Sequence, residues 1–387
     1  MTVRNDLKKS LVALEQDSTL IAVIELSESS WLIGGVVPGV AREPLKKLGA
    51  EPEALLKVLH RWRDEAERAG RRITRVAVAF EAGRDGLWLA RWLLAHGVEA
   101  YAIHPTSVAV SREHRRAKTD RIDIRLLKRS FVGWLRGEPE HCRMVAIPTL
   151  QAEDARRPNR EHERLVGART ALINQLKSAF ARLGIRGFKP TLRKAPERLA
   201  GLRTPEGEPI PANSLDELQR TMARLRLLKD QIKQLETTRL ERIDKAPTDG
   251  PHAMVRLLAR VLGIGIETAD TLVHEVLSRE LRDDRAVARY AGLTGSPDES
   301  GKRRREKGLA RAGNARVRRS MIQLAWRFLM HQKDSALACW YRTRTQSGAK
   351  DTRKTMIVAL ARKLLIALWR FVRTGVAPEG VVLRAVA

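Results

Sequence analysis

Cysteine is nearly absent from this chain. Cys142 and Cys339, the two in 387 residues, lie far apart and outside any CxxC or His/Cys cluster, which excludes a disulfide framework and a zinc finger. The histidines show no HExxH spacing. A metal in this chain would therefore be held by oxygen donors, a preference of magnesium or manganese rather than zinc. Long apolar runs are missing too: none approaches the roughly 18–20 residues of a spanning helix. The opening "MTVRNDLKKS" lacks the apolar centre of a secretory leader. The expectation is a cytoplasmic protein. Negative charge is scarce as well, with 45 Asp and Glu against 73 Lys and Arg, a formal charge of +28. A field of that sign favours a polyanion, because nucleic acid gains affinity when cations neutralise phosphates and release counterions. A membrane surface is the competing partner.

What is present is enough to fold. Hydrophobic residues make up 43% of the chain, and this length suits two or three domains. "TLIAVIELSESSWLIGGVV" reads as two apolar strands joined by a polar turn, "ITRVAVAFEAG" as another strand, and "VEAYAIHP" as a further buried one. "DGLWLARWLLAHG" has helical spacing before Gly97, and residues from about 118 to 136 return to helical periodicity. Strands followed by helices imply an α/β domain with a mixed sheet over residues 1–150. Residues 151–248 carry two long amphipathic helices joined by the Pro/Gly-rich "GFKPTLRKAPERLAGLRTPEGEPIPANS", an antiparallel hairpin or a coiled coil between subunits, with an intramolecular bundle as the alternative. Residues 249–387 are read as mostly helical. There "LLARVLGIGIETADTLVHEV" has the pattern of a helix-hairpin-helix element, whose glycines let backbone N–H groups approach a phosphate. A loop with Ser296 and Ser300 then leads into nine cations between Lys302 and Arg319, opposed only by Glu306. The terminal "TRKTMIVALARKLLIALWRFVR" is a basic amphipathic helix expected to pack on the core.

The carboxylates are the informative residues. Asp120 and Asp123, in "AKTDRIDIRLL", are three apart and share a helix face, within a neighbourhood that holds Arg112, Arg115, Arg116, Lys118, Arg121, Arg125, Lys128 and Arg129. Glu25 lies on the first strand, and Glu81 ends a later one. Nuclease folds of the ribonuclease-H type use this order of acids to hold two divalent cations about 4 Å apart for phosphoryl transfer. Four gathered carboxylates repel one another unless a cation is bound. Taken singly, each acid also has a structural reading, as a solvated strand end, a helix-cap neighbour or a partner for Arg116 or Arg125.

"IAVIELSESSW", "AFEAG", "HPTSVAVSREHRRAKTDRIDIRLL", "LLARVLGIGIETADTLVHEV" and "YAGLTGSPDESGKRRREKGLARAGNARVRRSMIQLAW" resemble, in this order and over most of the chain, the motifs of the IS110 family of insertion-sequence transposases. The resemblance implies a ribonuclease-H-like (RuvC-like) DEDD domain, a coiled-coil segment and a C-terminal transposase domain with a serine. It implies donor and target DNA as substrates, a guide (bridge) RNA that pairs with both, Mg2+ or Mn2+ at the acids, and a phosphoserine intermediate. Glu81, Asp120 and Asp123 match the second to fourth acids, and Ser300, before Gly301 and Lys302, matches the serine of the family's "SG" step. Two positions depart. Glu25 stands where the family has aspartate, one methylene longer, and Glu299 stands where a second serine is common; Ser296 is the fallback nucleophile.

The expected function is therefore that of an RNA-guided transposase or recombinase, working as a dimer or tetramer in the cytoplasm on nucleoid DNA. Glu25, Glu81, Asp120, Asp123 and Ser300 are its candidate catalytic residues, the four acids its metal ligands. Candidate nucleic-acid contacts are Arg115, Arg116 and Lys118 in the first domain. In the last domain they are Lys302, Arg303, Arg304, Arg305, Arg311, Asn314 and Arg318. The rival readings are a metal-dependent structure-specific endonuclease without serine chemistry and a catalytically impaired DNA- or RNA-binding relative.

Overall fold

The computed structural model describes residues 7, 9–83, 86–108, 119–300, 303–309, 312–346, 348 and 350–385, apart from the side chains at 297–307 and 350–351. The chain divides into two compact units, Met1–Gln151 and Ala152–Ala387.

The first unit is built on β1 (Thr19–Leu26), β2 (Ser30–Val36), β3 (Leu45–Gly49), α1 (Pro52–Arg68), β4 (Arg75–Glu81), α2 (Trp88–Ala95), β5 (Glu99–Ile103), α3 (Asp120–Leu135) and β6 (Met144–Val145). The sheet order is β3-β2-β1-β4-β5-β6. β1, β4 and β5 run parallel at the centre, and β2, β3 and β6 pair antiparallel at the flanks. The central strand β1 is covered on both faces, which explains its unbroken apolar run. Leu20, Ala22, Ile24, Val78 and Phe80 face one core, into which α1 sends Leu55, Leu59, Trp62 and Ala66 and α2 sends Leu89 and Leu93. Ile21, Val23, Ala77, Ala79, Tyr101 and Ile103 face the other, closed by Ile124, Leu127, Phe131 and Trp134 of α3.

Two glycines in β2 set how closely those layers approach. A Cβ on Gly34 would lie 2.5 Å from Ile124 Cγ2 on α3, and one on Gly35 would lie 2.6 Å from the Trp62 ring on α1. Neighbouring residues of a strand point to opposite faces, so "IGGV" is a bare patch against which one helix from each layer seats. Sequence reading leaves β3 and α1 unassigned, although α1 has Pro52 at its start, Glu53 in its first turn and buried Leu55, Val58, Leu59, Trp62 and Ala66 at helical spacing.

In the second unit, α4 (Leu150–Asp154) precedes α5 (Arg157–Arg182), α6 (Ala195–Leu199) and α7 (Ala212–Lys245). α5 and α7 pair with each other within the chain. Their antiparallel register is marked by Arg239 to Asn159 at 3.0 Å, His162 with Glu236 at 3.1 Å and Gln175 with Glu217 at 3.5 Å. Leu176, Phe180, Leu218, Met222 and Leu225 form the seam, which Ala195 and Leu199 of α6 close at one end. The remaining elements are α8 (Gly250–Ala259), α9 (Ile266–Leu272) running into a π turn at Val273–Leu277, α10 (Asp284–Tyr290), β7 (Gly295–Ser300), β8 (Arg303–Leu309), α11 (Ala315–His331), α12 (Ala336–Arg344) and α13 (Lys350–Thr374). α13, the basic terminal helix, buries Leu360, Leu364, Leu365, Leu368 and Phe371 in the core of this unit. No helix among the described residues is long and apolar enough to cross a membrane.

Gly34→Ala should lower stability by roughly 1–3 kcal/mol, read as a melting temperature several degrees lower, because the new methyl meets Ile124 rather than open space. In the double variant with Ile124→Ala, the two losses should be less than additive.

Candidate functional site

Strand polarity brings the four predicted acids to one end of the sheet. Ile24 on β1 is opposite Phe80 on the parallel β4, so Glu25 and Glu81, the next residues along, leave the sheet side by side at the C-terminal ends of adjacent strands. Side chains alternate, and Glu25 therefore shares the face of Ile21 and Val23, as Glu81 shares that of Ala77 and Ala79. That is the face α3 covers. Thr119 caps α3, its hydroxyl accepting from the Ile122 N–H at 3.4 Å, which places Asp120 and Asp123 in the first helical turn. There the positive end of the helix dipole favours carboxylates whether or not a cation is bound.

The environment of these acids is open. Glu81 and Asp120 are exposed, while Glu25 and Asp123 are half-buried. Among the described residues, Glu81, Asp120 and Asp123 form no side-chain hydrogen bond or ion pair, so Arg125 is not the partner that the structural reading allowed. The opposite end of the same strands is closed: Arg75 donates to Glu99 at 2.8 and 3.0 Å, and the Tyr101 hydroxyl donates to Glu99 at 2.6 Å. Burial first, and then the bond to Glu99, holds the Tyr101 hydroxyl protonated up to about 12. No three of the four predicted acids bring ligand oxygens within 4.8 Å of one another. Their donors are nonetheless all oxygen and lie toward one sheet face, and Glu81, Asp120 and Asp123 have no cationic partner among the described residues, a donor type that fits a hard divalent cation.

The serine segment is a two-stranded hairpin rather than a loop. Ser300 ends β7 and is paired with Arg303 at the start of β8, with Glu299 opposite Arg304 and Asp298 opposite Arg305. Arg303, Arg304 and Arg305 are thus strand residues of β8. Arg115, Arg116, Lys118, Lys302 and Arg311 lie outside the described residues. Asn314 is engaged structurally: Oδ1 caps α11 by accepting from the Arg316 and Val317 N–H groups, and Nδ2 donates to Glu275 at 3.0 Å. Arg318 donates to the Ala312 carbonyl at 3.1 Å. The glycines of the helix-hairpin-helix pattern separate: Gly263, at φ +94°, packs on His331, and Gly265 caps α9 with open space at its Cα.

A buried polar network at the root of the α5–α7 hairpin went unnoticed in the sequence. Asp270 accepts from Asn159 at 2.8 Å and lies 3.2 Å from His274 Nε2 and 3.4 Å from Arg239 Nε. Glu275, with no exposed surface, is held by Arg160 through two bonds of 2.9 and 3.3 Å. Burial alone would push both carboxyls up, but the bonds from His274 and Asn159 to Asp270, and from Arg160 and Asn314 to Glu275, hold them below the ordinary carboxylate range. Glu163 of α5 reaches Arg316 and Arg319 of α11. The signal was available: Glu267, Asp270 and His274 recur at i, i+3 and i+7 within an otherwise apolar stretch.

His162 sits in the same network, 3.1 Å from Glu236 through Nε2 and 3.3 Å from Glu267 through Nδ1. The three side chains bring ligand atoms within 4.8 Å of one another. Each ring nitrogen faces its own carboxylate, however, and Arg239 adds positive charge nearby, so the group is described as an imidazolium bridging two acids rather than as a metal site.

Residues 255–342, from α8 through the Ser300 hairpin into α12, match the model of the Transposase IS116/IS110/IS902 family. The chain is also 38% identical over 396 residues to "Putative transposase y4rJ" of Sinorhizobium fredii, covering 99% of this chain and 100% of that protein. It belongs to the IS110 family of transposases. A second relative, "Probable family 20 transposase" of Pseudomonas aeruginosa, is 28% identical over 232 residues, 59% of this chain and 65% of that one. The matched segment of this IS110-family member includes Glu267, Asp270, Glu275 and Asn314 together with β7 and β8, while their network partners Asn159, Arg160, His162 and Arg239 lie outside it.

The network makes stability depend on pH. The bond to Glu267 outweighs desolvation and raises the His162 imidazolium above its ordinary value, while the same bond lowers Glu267. A raised histidine contributes fully below its unfolded value of about 6.5 and loses that contribution as pH rises through the higher folded value. The lowered carboxyl contributes at pH above about 4.5 and loses its share in more acidic solution. The melting-temperature difference between wild type and His162→Gln should therefore be widest near pH 5–6.5 and shrink by pH 8. A difference constant over that range refutes the bridge.

Proposed function

We propose that this family member is an RNA-guided DNA recombinase in which Glu25, Glu81, Asp120 and Asp123 hold Mg2+ or Mn2+ and Ser300 is the nucleophile. The single observation that carries the metal half is the convergence of Glu25 and Glu81, on adjacent parallel strands, with the first turn of α3 on the same sheet face. Three parallel strands flanked by an antiparallel meander, with catalytic acids at their C-terminal ends, support a ribonuclease-H-like (RuvC-like) assignment of residues 1–150. Residues 151–248 and 249–387 are then the long-helix segment and the transposase domain. The serine, the bridge RNA and a dimer or tetramer rest on the resemblance of the motifs, with the charge of +28 suited to holding several nucleic-acid strands.

A bound divalent cation would supply charge stabilisation at the phosphate oxygens and favour deprotonation of an attacking hydroxyl. The chain's own work is positional. Ser300 Oγ forms a bond to phosphorus as one P–O bond of the DNA backbone breaks, and the serine proton passes to the departing DNA oxygen. Phosphodiester bonds are conserved in number, so a DNA hydroxyl can reverse the step on a new partner without external energy. Arg303, paired with Ser300 in the β7–β8 ladder, would neutralise the phosphate. Glu25 carries the acid of β1 one methylene further than aspartate would.

Purified protein with magnesium and duplex junction DNA should form an adduct that survives denaturation. Ser300→Ala should abolish it and Ser296→Ala should not, while Asp123→Asn or Glu81→Gln should slow its formation by about a hundredfold or more. Cleavage that persists in Ser300→Ala but is lost in Asp123→Asn would replace this reading with a metal-dependent endonuclease. The guided part fails if the protein co-purifies with no defined RNA and recombines DNA equally well without one.

A further inference from the structure

The connection between α5 and α7 spans residues 183–211, where antiparallel helices need about 2–8 residues. It is not a slack loop. Phe188 packs on Phe180 with ring centroids 4.6 Å apart, and Ala195, Leu199 and Ile210 are buried with them. Gly184, at φ +69°, is pressed against Pro205 so closely that a Cβ would lie 2.4 Å from it. Arg203 bridges to Pro209, and Lys229 of α7 donates to the Thr191 carbonyl at 3.0 Å. The hairpin therefore ends in a small folded cap with its own core.

Over its whole length, residues 183–211, the cap carries six cations against three acids, and they are unevenly spread. Between Gly184 and Gly201 stand Arg186, Lys189, Arg193, Lys194 and Arg198, opposed by Glu197 alone. All five cations are exposed, and none forms an ion pair among the described residues. In the shaft, α5 carries six cations against two acids and α7 eight against six, so the stretch from Gly184 to Gly201 is the part of the hairpin with the fewest acids per cation. A shallow concavity in the cap is lined by Gly187, Phe188, Lys189, Leu192, Ala195 and Arg198. The cap offers no exposed aromatic ring: its Phe188 is half-buried against Phe180. Single-stranded nucleic acid is held by stacking its bases on such rings, whereas a duplex presents phosphates alone to a cationic surface.

We infer that this cap, at the far end of the hairpin from its root, docks on the sugar-phosphate backbone of duplex DNA. The inference rests on the reading that the chain acts on DNA, and adds where a second part of the duplex is held. α5 has 26 residues, about 39 Å of helix at 1.5 Å per residue. With base pairs rising by about 3.4 Å, cap and hairpin root are separated by about one helical turn of DNA.

The test uses the full chain. One variant combines Arg186→Gln, Lys189→Gln, Arg193→Gln and Lys194→Gln in the cap. Its control removes four exposed shaft cations, by Lys177→Gln, Arg220→Gln, Arg226→Gln and Lys233→Gln, so both are reduced by the same net charge. Equal melting temperatures establish that the cap core is intact. Affinity for a duplex is measured against salt concentration, with hydroxyl-radical footprinting. The cap variant should lower the slope of log K against log salt by about 0.9 for each phosphate that is no longer neutralised, in total roughly 3. It should bind at least about tenfold more weakly at about 100 mM salt and leave unprotected one block of the footprint about a helical turn from the rest; the control should change less than threefold. Equal effects of cap and control, or weakened binding to a single-stranded RNA but not to the duplex, overturn the inference. A wild-type chain that binds no duplex overturns the DNA reading with it.

Discussion

Gly34 is the constraint on which the arrangement of the first unit depends. Ile124 occupies the volume that a side chain at position 34 would take, so α3 is drawn onto the sheet at a fixed point one turn into the helix. Asp120 and Asp123 precede or adjoin that point, and Thr119 fixes where the helix begins. The chain end of α3 is thereby locked over the strand ends that carry Glu25 and Glu81. Gly35 does the same for Trp62 on the other face, so neither layer can tilt without disturbing the packing on the opposite side. Close-packed interiors transmit such constraints because they have no slack to absorb them.

The two ends of the sheet differ in how their charges are met. At the beginnings of β4 and β5, Arg75, Glu99 and Tyr101 bond to one another, with Arg75 Nη1 alone left buried without a partner among the three, the usual pairing of charge near a core. At the C-terminal ends, Glu81, Asp120 and Asp123 are given no cation among the described residues, although the chain as a whole has 73 Lys and Arg. Open α/β sheets place ligands at the carboxyl ends of their strands, and the uncompensated charge is at that end.

Much of this was legible in the sequence, and the reasons differ by residue. The β1–β2 hairpin, β4 and α2 announce themselves by apolar runs and terminating glycines, and the acids by their positions at strand ends and in a helix start. α1 was missed although its apolar spacing is regular, because "EPEALLKVLHRWRDEAERAG" is dominated to the eye by its charges. The β7–β8 pair was missed because "GSPDES" and "RRREKGL" have no alternating apolar pattern. Asn314 looked like a surface residue because nothing local shows that Glu275, 39 residues earlier, is its partner. Long-range polar pairing leaves no periodic trace, and the one between Asn159 and Asp270 spans 111 residues.

The same long-range pairing explains how a hairpin of two slender helices can be a rigid element. A seam of Leu176, Phe180, Leu218, Met222 and Leu225 holds α5 to α7 but would let the pair swivel about its base. At the root, Asn159, Arg160, His162 and Glu163 each engage a different partner: Asp270, Glu275, Glu267, and Arg316 with Arg319. Asn159, His162 and Glu163 are spaced i, i+3 and i+4 and share one face of α5, with Arg160 beside them, so one side of the helix is bonded at several points. Buried polar bonds add little net stability over apolar packing, but they accept few alternative geometries. The arm is thus anchored by direction-specific bonds at one end and finished by a folded cap with its own core at the other.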